Sequence, residues 1–150
     1  MGGHAGAALR VATSASSWRC SQVYVGRLDQ VAEVRAFLRK VLDGYPVAND
    51  AILLASELAA NATLHSDSRR PGGRFTVRAE IHEDDYVWVE VEDQGGLWDL
   101  KTARGEGRWH GLDIVSAVAS EWGRDQGDEG GWVVWFRIDW PGSEATELDA

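Results

Sequence analysis

The sequence predicts an α/β (α+β) fold, a two-layer sandwich with helices on one face of a mixed, mostly antiparallel sheet. Three observations carry this. Phe75, Val77, Ala79 and Ile81 alternate with Thr76, Arg78, Glu80 and His82, and past a Glu83-Asp84-Asp85 turn Val87, Val89 and Val91 alternate again. That is a β-hairpin with one buried face. Two stretches before the hairpin and one after it follow the helical period instead. The elements therefore run β-α-α-β-β-loop-α-β.

Composition narrows the class. At 150 residues the chain suits one domain, and 15 Lys plus Arg against 24 Asp plus Glu give a net charge of -9. Neither nucleic acid nor an anionic membrane is favoured as a direct partner, because both need basic surface. A phosphate ligand would have to be held locally, by backbone amides and a few cations. The single cysteine, Cys20, excludes an intramolecular disulfide and fits a reducing, cytoplasmic setting. Residues 1–17 are small and polar, with no apolar run long enough for a signal-peptide core, and read as a disordered leader in which His4 is inert. Residues 18–140 read as the domain, and 141–150 as a loose acidic tail. The eight tryptophans read as core and rim packing.

Residues 22–26 read as a short strand. Asp29 is the expected N-cap of a helix whose face is Leu28, Val31, Val34, Leu38 and Val41, and Gly44-Tyr45-Pro46 ends it. The next helix, over residues 50–68, organises the chain. Ile52, Ala55, Leu58, Ala59 and Ala62 form its apolar face, while Glu57, Asn61 and His65 recur every four residues along another stripe. Taken alone, such a stripe faces water. The alternative is a metal–nucleotide site: Asn offers Mg²⁺ a neutral oxygen, and a Glu one turn earlier can polarise the group attacking a phosphate.

Beyond the hairpin, Asp93-Gln94-Gly95-Gly96 is either an ordinary Asp-Gly turn or a carboxylate beside backbone left bare for a flat ligand. Such a carboxylate can accept a hydrogen bond from an exocyclic amine. Residues 97–110 have no clean period and carry Lys101, Arg104, Gly105, Gly107 and Arg108, as a lid or a mobile loop would. Gly111 is expected to open a helix with Leu112, Val115, Val118, Ala119 and Trp122 on one face, ended by Gly123. Its N-terminal amides make an anion site. A last strand follows over residues 132–140. There is no internal repeat, linker or metal-spaced Cys/His cluster.

SELAANATLHS resembles the N-box, VEDQGG the first glycine box and HGLDIVSAVASEWG the second glycine box of the GHKL superfamily. These Bergerat-fold ATPases include histidine kinases, DNA gyrase, a heat-shock chaperone and the MutL mismatch-repair proteins. The likeness over residues 18–140 is to the small stand-alone branch, the bacterial anti-sigma-factor serine/threonine kinases. It implies an ATP site with Mg²⁺, in which Glu57 is the general base and Asn61 the Mg²⁺ ligand. His65 would shape the phosphate end. Asp93 would take the adenine amino group and Gly95 admit the base. Gly107 and Gly111 would flank the lid and the start of the helix, with Leu112 beside them. The implied partners are a sigma factor and an antagonist protein, with homodimerisation open; an inert nucleotide-binding module of the same fold is the alternative. A detached histidine-kinase domain fits less well, since no phosphoacceptor-bearing hairpin precedes the domain. Three departures stand out: Gly95 and Gly96 are adjacent rather than spaced by one residue, Gly111 comes four residues after Gly107, and Trp132 stands where the family often has Thr. A tryptophan there would crowd the pocket.

Overall fold

The computed structural model describes residues 11–14, 16–96 and 110–141. Its strands are β1 (Val11–Ser14), β2 (Ser17–Val25), β3 (Arg74–His82), β4 (Tyr86–Glu92), β5 (Glu121–Gln126) and β6 (Trp132–Asp139). Its helices are α1 (Val31–Val41), α2 (Ala48–His65) and α3 (His110–Val118), with single 3-10 turns at Leu28–Gln30 and Asp67–Arg69. The sheet order is β1-β2-β3-β4-β6-β5. Every neighbouring pair is antiparallel, so the expected mixed sheet has no parallel pairing among the described residues.

Alternation decides which face is covered. Phe75, Val77, Ala79 and Ile81 of β3, Val87, Val89 and Val91 of β4, and Val134, Phe136 and Ile138 of β6 are all buried. They meet α2, whose Ala51, Leu54, Ala55, Leu58, Ala59 and Ala62 are buried too. Small residues on that face let the helix lie close to the sheet. α1 and α3 both pack against α2, which is thus the centre of the helical layer. Burial of each such Val, Leu or Phe contributes roughly 1.5–3 kcal/mol.

Several sequence expectations are corrected. Val11–Ser14, inside the expected leader, pairs with β2, so the sheet begins before residue 18. β2 is also longer than residues 22–26. Its inward positions run Trp18, Cys20, Gln22, Tyr24, and the glutamine interrupts the apolar alternation that would have revealed it. Asp29 is not an N-cap: α1 starts at Val31 after Gln30, which makes no side-chain cap, and the Asp29 carboxylate pairs with Arg27 at 3.2 Å instead. The third helix stops at Val118, and Trp122 and Gly123 lie in edge strand β5. Ser120 makes the break, its amide donating to the Arg137 carbonyl and its hydroxyl accepting from the Asp139 amide. Gly123 is glycine because a Cβ there would sit 2.6 Å from the Trp135 ring. His82, on the polar side of β3, is half-buried, 3.0 Å from the Ser17 hydroxyl and stacked on Tyr86 at 4.2 Å.

Candidate functional site

The polar stripe of α2 is not uniform. Glu57 and Asn61 are half-buried, whereas His65, in the last turn, is exposed. The simple solvent-facing reading therefore holds for His65 alone. The Asn61 amide nitrogen Nδ2 is buried and has no hydrogen-bond partner among the described residues. Leaving such a group unsatisfied costs about 1–3 kcal/mol, so it marks a place where a ligand can complete the structure.

Asp93 continues β4 by one residue, on the helix-covered side, and is buried. Its Oδ1 accepts from the Gly95 amide at 2.7 Å and the Trp132 amide at 3.2 Å. These two amide donors fix the direction of Oδ1, as an Asp-Gly turn would. Gly95 (φ 76°) and Gly96 (φ 109°) both take left-handed conformations that side chains resist, and both are packed closely. A Cβ on Gly95 would come within 2.9 Å of the Gly130 carbonyl, and one on Gly96 within 2.6 Å of the Asp67 carboxylate. Adjacent glycines are what this loop needs, whatever the family spacing.

A brace that sequence reasoning missed joins the end of α2 to this loop. The Asp67 amide donates to the Gly95 carbonyl at 2.8 Å, and the Gln94 amide donates to the Ser68 hydroxyl at 3.0 Å. The Ser68 amide donates to Ser66 Oγ, and that hydroxyl donates back to the Ala62 carbonyl at 2.7 Å. Two serines bracketing an aspartate just past a helix, able to bond nearby backbone, were the available signal. The helix bearing Glu57 and Asn61 and the turn bearing Asp93 are thereby held in fixed relation.

Trp132 lies directly across from Asp93, and its amide carries one of the two bonds to that carboxylate. Its indole is covered by the guanidinium of Arg124, 3.6 Å from the ring centroid. Gly131 before it is as tight: a Cβ would fall 1.9 Å from the Asp93 carbonyl. Leu112 is half-buried on α3 and packs against the core. Gly111 is the second residue of α3 rather than its opener. Residues 97–109, with Gly107 and the candidate lid cations, lie outside the described residues.

ATP and Mg²⁺ fit these groups. The carboxylate at the strand end suits an exocyclic amine, and the Asn61 carboxamide lies on the same side of the sheet. No cluster of three or more His, Cys, Asp or Glu able to hold a metal exists among the described residues. Mg²⁺ bound through phosphates needs only one or two protein ligands, so a single Asn is in keeping with it. A groove of about 480 Å³ is lined by Val23, Arg74, Thr76, Arg78, Glu92, Asp128 and Glu129 and reaches Asp93, Gln94 and Gly131 of the glycine turn. Its Arg78 already pairs with Glu90 at 3.3 Å and Glu92 at 2.6 Å.

Residues 24–138 match the family model of the histidine kinase-like ATPase domain. The chain belongs to this family. Nothing among curated proteins matches it. Among solved structures, the blue-light activated histidine kinase of Erythrobacter litoralis EL346 superposes with a TM-score of 0.55 at 19% identity, covering 81% of this chain and 43% of that one. A histidine kinase domain from the same protein gives 0.49 at 20% identity, covering 81% and 64%. The chain thus spans less than two thirds of either, and at these identities the first likeness concerns the fold. Membership of the family implies that this domain binds ATP. No helix among the described residues is long and apolar enough to cross a membrane.

Proposed function

We propose that the chain is an Mg-ATP-dependent protein serine/threonine kinase of the anti-sigma-factor type, a cytoplasmic switch that binds a sigma factor and phosphorylates its antagonist. The supporting observation is the half-buried Asn61, its amide nitrogen unpartnered, one turn from a half-buried Glu57 on the helix that the Ser66–Ser68 brace ties to Asp93. In this reading Asp93 accepts from the adenine amino group, Gly95 lets the base approach, and Asn61 offers its oxygen to Mg²⁺. The metal supplies charge neutralisation between the phosphates. Glu57 takes the proton of the incoming serine or threonine hydroxyl. The family resemblance implies that His65, Gly107, Gly111 and Leu112 would serve the phosphate end.

The test pairs binding with transfer. Mg-ATP at a hundred times its Kd should stabilise the wild-type protein by about 2.7 kcal/mol, read as a rise in melting temperature of several degrees. Labelled Mg-ATP with lysate from its own cell should label a small partner with acid-stable phosphate, since phosphoserine and phosphothreonine survive acid and phosphohistidine does not. Glu57→Gln should keep ATP binding and lose about 10²–10⁴ in transfer rate, the usual worth of a positioned base. An unmoved melting curve removes the nucleotide reading. Binding without transfer by either protein leaves an inert nucleotide-binding module, and acid-labile label makes the chain a histidine kinase.

A further inference from the structure

Trp132 and Arg124 stand at the base end of the proposed nucleotide site, and their relation bears on the crowding a tryptophan should cause there. Strand order puts β6 between β4 and β5. Trp132 is across from Asp93 on the β4 side and from Gln126 on the β5 side, and Arg124 is two residues from Gln126 on the same face. The guanidinium that covers the indole therefore comes from the side away from Asp93. Its Nε and Nη2 atoms are buried, where a cation over an aromatic face is held more strongly than in water.

We infer that Arg124 is a positioning residue that fixes the Trp132 indole as the β5-side wall of the base site, keeping the space over Asp93 open. The inference rests on the nucleotide reading and adds a determinant of which base the site accepts. A threonine at position 132 would need no such restraint. An indole does, because one rotation about its Cα–Cβ bond can carry it across the neighbouring carboxylate, whose backbone bonds to Gly95 and Trp132 leave it no room to retreat. Arginine suits the task better than lysine, since a planar guanidinium stacks on the ring and an ammonium does not.

The experiment measures Kd for Mg-ATP by calorimetry in the wild type, Arg124→Ala, Trp132→Thr and the double variant, with melting curves to verify folding. Arg124→Ala should weaken binding about tenfold in the wild-type background, and the double variant should bind as Trp132→Thr alone does. Arg124→Lys should behave as Arg124→Ala does, and it replaces that variant if the alanine protein fails to fold. The indole N–H resonance of Trp132, assigned by its loss in Trp132→Thr, should shift in either Arg124 variant without nucleotide. Wild-type affinity in the Arg124 variants overturns the inference. So does an equal loss from Arg124→Ala in the Trp132→Thr background, which would make Arg124 a direct contact to the nucleotide. A wild-type protein that binds no ATP overturns the nucleotide reading and this inference together.

Discussion

The helix-covered face of the sheet and its open face are built from the same strands and treat polar groups in opposite ways. On the open face they satisfy one another: Arg78 pairs with Glu90 and Glu92, Arg137 with Glu121 and Asp139, and His82 with Ser17 and Glu80. Trp88 and Trp135 stack at 4.2 Å among them. In the covered layer polar groups are few, and Asn61 Nδ2 and the Tyr24 hydroxyl are buried without a hydrogen-bond partner among the described residues. What distinguishes the two groups is their element: Asn61 lies on the helix that the Ser66–Ser68 brace ties to the glycine turn, and Tyr24 lies on β2.

Neighbouring residues of β6 test the contrast most strongly. Phe136 faces the helices and is fully buried, while Trp135 faces outward and is half-buried. Phe136→Ala should cost about 3–5 kcal/mol, the range for an aromatic core truncation that leaves a cavity. Trp135→Ala removes the Trp88 stack and a 3.1 Å bond to Asp125, and should cost about 1–2 kcal/mol despite the larger side chain. Urea unfolding of both measures this. Equal losses would mean that the open face is covered in solution.

Arg78 comes next. Its two carboxylate partners, the nearer at 2.6 Å, hold its pKa above the ordinary value against the opposing effect of its own burial. The guanidinium is 41% exposed, so solvent screens both pairs. Arg78→Ala should lower stability by no more than about 1 kcal/mol and leave Mg-ATP binding unchanged, checked by urea melts and calorimetry. Lost nucleotide affinity would instead place a phosphate in the groove that Arg78 lines.

The sequence showed the hairpin, α1, α2 and β6 because each buries one regular stripe. It hid β1 and β5, the two edges of the sheet. β5 reads Glu-Trp-Gly-Arg-Asp-Gln, and an edge strand with one neighbour has little apolar surface to advertise. Glu57, Asn61, Asp93 and Gly95 could be proposed from sequence because residue type and local spacing carry their chemistry. Ser68 and Arg124 could not, since each acts on a residue brought to it only by folding: Gln94, 26 positions along, for the serine, and Trp132 across a strand pair for the arginine. Trp132 was legible in part: its size was visible, and the Arg124 stacked on it was not.

Tyr24 supplies the smallest effect and separates the two unpartnered groups. It faces inward on β2, 3% exposed, stacked on Phe75 at 5.3 Å, with no hydrogen bond to its hydroxyl. Nothing about it resembles the surroundings of Asn61, so its hydroxyl should be a structural cost and not a ligand contact. Tyr24→Phe keeps the ring and removes the buried oxygen, and should leave stability near neutral pH unchanged or raise it by about 1 kcal/mol at most. Alkali should reveal the difference. Burial, reinforced by the negative charge of Glu33, pushes the Tyr24 pKa well above its ordinary value. The folded protein then holds a proton that the unfolded chain releases above about pH 10. The unfolded state binds fewer protons in that range, so wild-type stability is complete below about pH 10 and falls as pH rises beyond it. Tyr24→Phe has no such group and should lose less stability between pH 9 and 11. Urea midpoints of the two proteins at those two pH values measure the divergence. Parallel losses would show that Tyr24 finds a partner in solution, and a weakened Mg-ATP affinity in Tyr24→Phe would extend the nucleotide site to β2.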